Sequence, residues 1–294
     1  MIIFLKVISN DYNNVITLKG NSSLVTCLVF LPKCDYLVSG NETGELMLWN
    51  ISNGTLINIF NHPPKIHSLV SIYYDNYVNY FASSNESNVI IWNRHSLKKY
   101  KAFNCQGVIS FAYNTDNDVL ATGCSNSKII IWQLHDWKRL KTITTKSAVL
   151  SLAFLPNGTL ANGAKGEDKI RIWSIITGNL LQTLSGHTTD GFGDIESIIV
   201  LPNKTLASIG NCTLKVWNIQ NWRLIETFNE YVKHMALLPS GNLVSCSYDK
   251  TIKIWSIDNE TNQILDLHSN TLAISSDGAL ASVSNDNSIQ IWKN

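Results

Sequence analysis

Two carboxylates stand at matching places in this chain. Asp249 in SYDKTIKIW (247–255) and Asp286 in NDNSIQIW (285–292) each precede a tryptophan, Trp255 and Trp292, by six residues. A carboxylate in a polar turn can act as a general acid, a metal ligand or a turn cap. General acid work needs a second group at a defined separation. A carboxylate repeated in two similar stretches reads as architecture instead. Other stretches carry chemical residue types too. GAKGEDK (163–169) has the look of a phosphate loop but lacks the G-x-x-x-x-G-K-[ST] spacing, so it reads as a hairpin turn. GHTTDGFGDIE (186–196) gathers His187, Asp190, Asp194 and Glu196, yet fits no standard calcium loop. It reads as a lengthened connection, a place where a rigid scaffold can carry a binding role. The remaining histidines share no spacing, and no G-x-S-x-G elbow occurs. No catalytic residue, metal site or cofactor is expected.

The composition points the same way. The net charge of +1 and the 15% content of charged residues give no basic excess for nucleic acid. None of the six cysteines forms a C-x-x-C pair, so neither zinc nor redox spacing is present. They read as thiols of a reducing compartment, the cytoplasm first and the nucleus as alternative. No apolar run approaches a membrane span, and MIIFLK is too short for a signal peptide.

What positions these residues is a repeat. Seven segments end in tryptophan, at Trp49, Trp92, Trp132, Trp173, Trp217, Trp255 and Trp292. The intervals are 43, 40, 41, 44, 38 and 37 residues. Each unit runs in one order: an apolar strand such as VLSLAFL, a turn such as PNGT, a strand of small residues such as LANGA, a polar turn, the Trp-ending strand, then one more strand. Stretches such as IIIW (129–132) are apolar on both faces, so each four-stranded unit must meet a neighbour on both sides. The expected fold is all-β: one domain over residues 1–294, with seven four-stranded antiparallel blades. The seventh unit stops after its third strand. NVITLKG (14–20), in the leading 1–20 region, matches LLQTLSG (180–186) and can supply the missing strand. Residues 2–8 are left over; they extend the closing blade or lead from another domain.

Period, strand order, the Gly186–His187 pair and the Asp before the Trp strand together resemble the WD40-repeat family, although the Trp-Asp dipeptide itself is absent. The resemblance implies a seven-bladed β-propeller closed by the N-terminal strand. It also implies a buried network of turn acid, histidine, strand-two hydroxyl and indole. By position this gives His187, Ser208, Asn211 and Trp217, with Asp249, Trp255, Asp286 and Trp292 in the last two units. His62 is expected to face Glu86.

For function the resemblance implies a non-catalytic scaffold or adaptor that binds proteins or peptides around the central channel, as a monomeric domain within a complex. The alternatives are a substrate-recognition subunit of a ubiquitin or signalling complex and, from a different class, a propeller enzyme or small-ligand lectin. Partner-binding positions carried over are Lys65, Lys146, Phe192, Asp194, Tyr231 and Tyr248, with Glu42, Asn85 and Asn285 beside them. Two basic outer strands, HSLKKYKAF (95–103) and HDWKRLKTI (135–143), suit an anionic partner but also suit protection of an exposed sheet edge. Trp137 and Trp222 hold matching places before outer strands and are expected to pack there.

Overall fold

A computed structural model describes residues 6–7, 12–32, 35–63, 65–74, 78–187, 193–249, 251–256, 263–266, 269 and 271–293. The architecture is all-β, seven four-stranded antiparallel blades of the β-propeller class. The chain divides into two compact units, Met1–Ser71 with Tyr231–Asn294, and Ile72–Glu230.

In the unit Ile72–Glu230, blades follow chain order, beginning with the second, whose later strands are Val78–Ser84, Asn88–Asn93 and Lys98–Asn104. The third blade is Val108–Asn114, Val119–Cys124, Lys128–Gln133 and Lys138–Thr144. The fourth is Val149–Phe154, Leu160–Ala164, Lys169–Trp173 and Leu180–Ser185. The fifth is Ile195–Leu201, Thr205–Gly210, Thr213–Asn218 and Leu224–Phe228. The core lies between blades. Ile129, Ile131 and Ile143 of the third blade pack with Val149, Leu152, Leu160 and Trp173 of the fourth. The fourth packs in the same way against Ile195, Leu206 and Trp217 of the fifth. Each such buried Ile or Leu contributes roughly 1.5–3 kcal/mol.

This stacking explains the small residues of the second strands. A Cβ on Gly123 would lie 2.6 Å from Val149 Cγ1, and one on Gly163 would lie 2.5 Å from Ile195 Cγ2. Those atoms belong to the first strand of the following blade. Hydroxyls stitch the same seam: Ser110 donates to Val149 O (3.3 Å) and Ser151 to Ile195 O (3.0 Å).

In the other unit, Asn13–Leu18 pairs antiparallel with Ile289–Lys293 and completes the seventh blade. Its Leu18 joins a core of Leu37, Trp49, Ala281 and Ile291, linking the seventh blade to the first, which is Val25–Leu31, Tyr36–Asn41, Glu45–Asn50 and Thr55–Asn61. Residues Lys6–Val7 do something the repeat pattern does not reveal. They pair with Ser256 and Trp255 in the sixth blade, while Gln263–Asp266 pairs with Ile254 to Thr251 on the same strand. The sixth blade thus has a composite fourth strand drawn from two distant parts of the chain.

The seven tryptophans follow one rule. Each is opposed across the second strand by an apolar residue: Leu37, Phe81, Leu120, Leu160, Leu206, Leu243 or Leu280. Each indole N–H then donates to the side chain two residues further on. The acceptors are Ser39, Ser83, Thr122, Asn162, Ser208, Ser245 and Ser282, at 2.9, 2.8, 3.2, 2.6, 2.8, 2.8 and 3.0 Å. A buried indole N–H must find an acceptor, and this diagonal register supplies one in every blade.

Candidate interaction face

His187 shows how the polar turns are wired. Its Nε2 lies 2.7 Å from Ser208 Oγ, which also accepts the Trp217 N–H at 2.8 Å. Its Nδ1 lies 3.1 Å from both Gly210 O and Thr213 Oγ1. Proton counting assigns the neutral tautomer. Gly210 O can only accept and the Thr213 hydroxyl already donates to it, so the ring proton sits on Nδ1, and Ser208, which accepts from the indole, donates to Nε2. Burial pushes the His187 pKa down to about 4, against the opposing backbone bond to Gly210. The hydroxyl beside Nδ1 is that of Thr213. Asn211 instead holds a left-handed backbone position, φ 46°.

Asp249 and Asp286 are wired differently. Asp249 accepts from the N–H and hydroxyl of Thr251, at 2.9 and 2.6 Å, and lies 3.7 Å from Lys253 Nζ. Asp286 accepts in the same way from Ser288, at 2.9 and 2.6 Å. Both are Asx turns closed within their own hairpins. Partial desolvation opposes the Asp249 charge, but the Thr251 bonds outweigh it and hold the carboxyl below its usual value. The Ser288 hydroxyl does the same for Asp286. The fourth blade uses Glu167 in this place, bonded to Arg171 and to Ser147. GAKGEDK is the tip of that hairpin; Gly166 N–H donates to Asp194 Oδ1 at 2.7 Å. The first blade places Glu45 under Ser22 and Asn41, and those bonds lower its pKa. His62 is buried at the first blade's turn, where its N–H donates to Gly44 O and its Nδ1 meets Pro63 O.

Among the described residues no group of three or more His, Cys, Asp or Glu is placed to hold a metal. Cys27, Cys105, Cys124 and Cys246 are buried free thiols, and Cys212 is exposed.

The positions carried over for partner binding fall into several settings. Tyr231 and Tyr248 come together just beyond the paired strands Val232–Leu237 and Leu243–Ser247 of the sixth blade. Tyr248 N–H donates to Tyr231 O at 2.8 Å, and Ser247 Oγ donates to the same carbonyl at 2.7 Å. Their side chains are 62% and 59% exposed. Lys233 Nζ stands 5.4 Å from the Tyr248 ring centroid. Lys65 and Glu42 meet through a backbone bond of 2.9 Å, and both are exposed. Lys146 and Asn285 are exposed. Asn85 is buried, because its side-chain oxygen caps the N–H groups of Ser87 and Asn88. Phe192 lies outside the described residues. Lys233 is the member that repeat alignment missed; its signal was the alternation that puts it two places from Tyr231.

Seven Trp-ended, four-stranded blades with small-residue second strands define a propeller of the repeat type, and the comparisons agree. Residues 12–50, 222–256 and 260–293 match the family described as WD domain, G-beta repeat, and residues 111–201 match the Anaphase-promoting complex subunit 4 WD40 domain. The chain belongs to the WD40-repeat family. Among curated relatives, Periodic tryptophan protein 2 of Arabidopsis thaliana is 25% identical over 81% of this chain and 22% of its own length. DDB1- and CUL4-associated factor 13 of Dictyostelium discoideum is 27% identical over 38% of this chain and 28% of its own. Pre-rRNA-processing protein crb3/ipi3 of Schizosaccharomyces pombe is 22% identical over 71% of this chain and 41% of its own. The chain therefore spans less than half the length of these relatives.

Proposed function

We propose that this chain is a non-catalytic protein-interaction scaffold, working in the cytoplasm or nucleus as one domain of a complex. Its partner, a protein or peptide, docks where Tyr231, Tyr248 and Lys233 meet, with Lys65, Glu42 and Asn285 of the same compact unit as further contacts. The observation that supports this is the pair of tyrosines. Large aromatic side chains left more than half exposed, side by side and fixed by main-chain bonds, offer area at small entropic cost. Aromatic anchors of this kind dominate interface energetics.

The test compares partners captured by the wild-type chain and by the Tyr231→Ala/Tyr248→Ala variant, identified by mass spectrometry. The expected result is selective loss of a partner set with an unchanged melting temperature. Identical partner sets at equal yield would remove the tyrosines from the site.

A further inference from the structure

The fourth strands sit at one register, so they can be compared position by position. Opposite the blade tryptophan stand Leu56, Lys99, Arg139, Leu180 and Leu224 in the first to fifth blades. Of these five blades only the second and third place a cation there, and both carry further cations along the strand. Lys98-Lys99-Tyr100-Lys101 and Lys138-Arg139-Leu140-Lys141 repeat one pattern, cation-cation-apolar-cation, on equivalent strands.

Edge protection does not account for this. The fourth strands of the first and fourth blades are sheet edges as well, and their sequences, TLINIFN and LLQTLS, hold no charged residue. A chain that leaves those edges uncharged is not using lysine to guard the others. Nor are the cations all spent internally. Lys138 pairs with Asp136 at 2.8 Å, and Lys141 donates to Thr177 O at 3.4 Å. Lys98, Lys99 and Arg139 are exposed and have no ion pair among the described residues.

The seam between the two strands is rigid. Trp137 is buried against Tyr80, 5.7 Å between centroids, and against Phe103 at 6.0 Å. Phe103 in turn meets Trp132 at 4.7 Å. Trp137 accepts a left-handed backbone position, φ 57°, to make these contacts. Bulges in both strands leave Tyr100 and Leu140 each 53% exposed between the cations. The result is a fixed surface of uncompensated positive charge, exposed apolar side chains and open strand edge.

We infer that the fourth strands of the second and third blades form a second docking surface, for an extended acidic segment of a partner protein. An extended peptide alone uses all three features. Its main chain can add to an edge strand, its carboxylates meet Lys98, Lys99 and Arg139, and its apolar side chains cover Tyr100 and Leu140. Single-stranded RNA would want a series of exposed rings for its bases, and Tyr100 is the one exposed ring of this pattern. The surface is independent of the Tyr231–Tyr248 pair.

The test titrates the full chain with a short fluorescent peptide alternating glutamate and leucine, followed by anisotropy. The controls are the glutamine–leucine peptide and an oligouridylate of similar length. The acidic peptide should bind about tenfold more tightly than its glutamine counterpart and weaken as salt rises. Lys99→Glu/Arg139→Glu should lower its affinity by about tenfold or more, with an unchanged melting temperature. The Tyr231→Ala/Tyr248→Ala variant should bind it as wild type does, which separates this surface from the tyrosine site. Equal binding of the two peptides, an unaffected charge-reversed variant, or tighter binding of the oligouridylate would each overturn the inference.

Discussion

The fifth and sixth blades hold the same Trp–Ser pair under different polar neighbours. In the fifth, Ser208 joins Trp217 to His187, and His187 runs on to Gly210 and Thr213. In the sixth, Ser245 meets the Trp255 N–H at 2.8 Å, and the turn acid Asp249 closes its own hairpin through Thr251. The sixth blade has a histidine as well. His234 lies on the first strand, and its buried Nδ1 has no hydrogen-bond partner. The indole-to-second-strand bond is thus the unit every blade keeps. A histidine relay is an extension that the fifth blade adds and the sixth replaces with a local Asx turn.

The largest expected effect breaks the relay at its middle. Ser208→Ala leaves both the Trp217 N–H and His187 Nε2 buried without partners, at a cost of roughly 3–4 kcal/mol. Urea denaturation of the full chain measures it. A loss no greater than that of Ser245→Ala would mean that the relay adds nothing to the Trp–Ser unit.

Two buried histidines make the fold acid-sensitive below about pH 6.5. Burial depresses the pKa of both His187 and His234 to about 4, from 6.5. Between these values the unfolded chain binds protons that the folded chain refuses. Stability contributed by neutral burial is therefore intact above about pH 6.5 and lost as pH falls toward 4, by up to roughly 3 kcal/mol for each group. Thermal melts from pH 7 to pH 4.5 should show this fall, and His187→Leu or His234→Leu should each remove about half of it. At pH 7 the two variants should part company. His187→Leu strands the Ser208 hydroxyl, whereas His234→Leu removes a nitrogen that was already unpartnered and should be neutral or stabilising. Equal losses at pH 7 would erase the distinction between a wired and an unwired histidine.

The repeat was legible in the sequence because its period is carried by a large, rare residue. Tryptophans some forty residues apart gave the seven blades, and the strand without a unit gave the closure by Asn13–Leu18. The polar wiring was less legible because it depends on register. Asn211 sits where a turn acid is expected, yet Thr213, two places on, is the side chain that reaches His187. The second-strand glycines were visible as small residues. Their reason, the approach of Val149 and Ile195 from the next blade, exists only in three dimensions. The left-handed positions were hidden in plain letters. Gly54 and Gly178 occupy the turn before the fourth strand in two blades, while Leu97, Trp137 and Trp222 take the same backbone sign in others. A bulky residue with positive φ is costly, and at Trp137 packing against Tyr80 and Phe103 offsets that cost. The pairing of Lys6–Val7 with the sixth blade had no signal in the repeat at all.

The smaller effects test the sixth blade alone. Ser245→Ala orphans one indole N–H and should cost roughly 1–2 kcal/mol, well below Ser208→Ala. Asp249→Ala should cost about 0.5–1 kcal/mol, since its bonds to Thr251 lie in an exposed turn where water can replace them. Asp249→Asn keeps the oxygen that accepts from Thr251 and gives up only the charge facing Lys253. A half-exposed ion pair at 3.7 Å contributes little in water, so Asn should match wild type in denaturant midpoint within error. If Asn were as damaging as Ala, the carboxylate's charge rather than its turn geometry would be what the sixth blade uses. The contrast with the fifth blade would then lie in electrostatics instead of wiring.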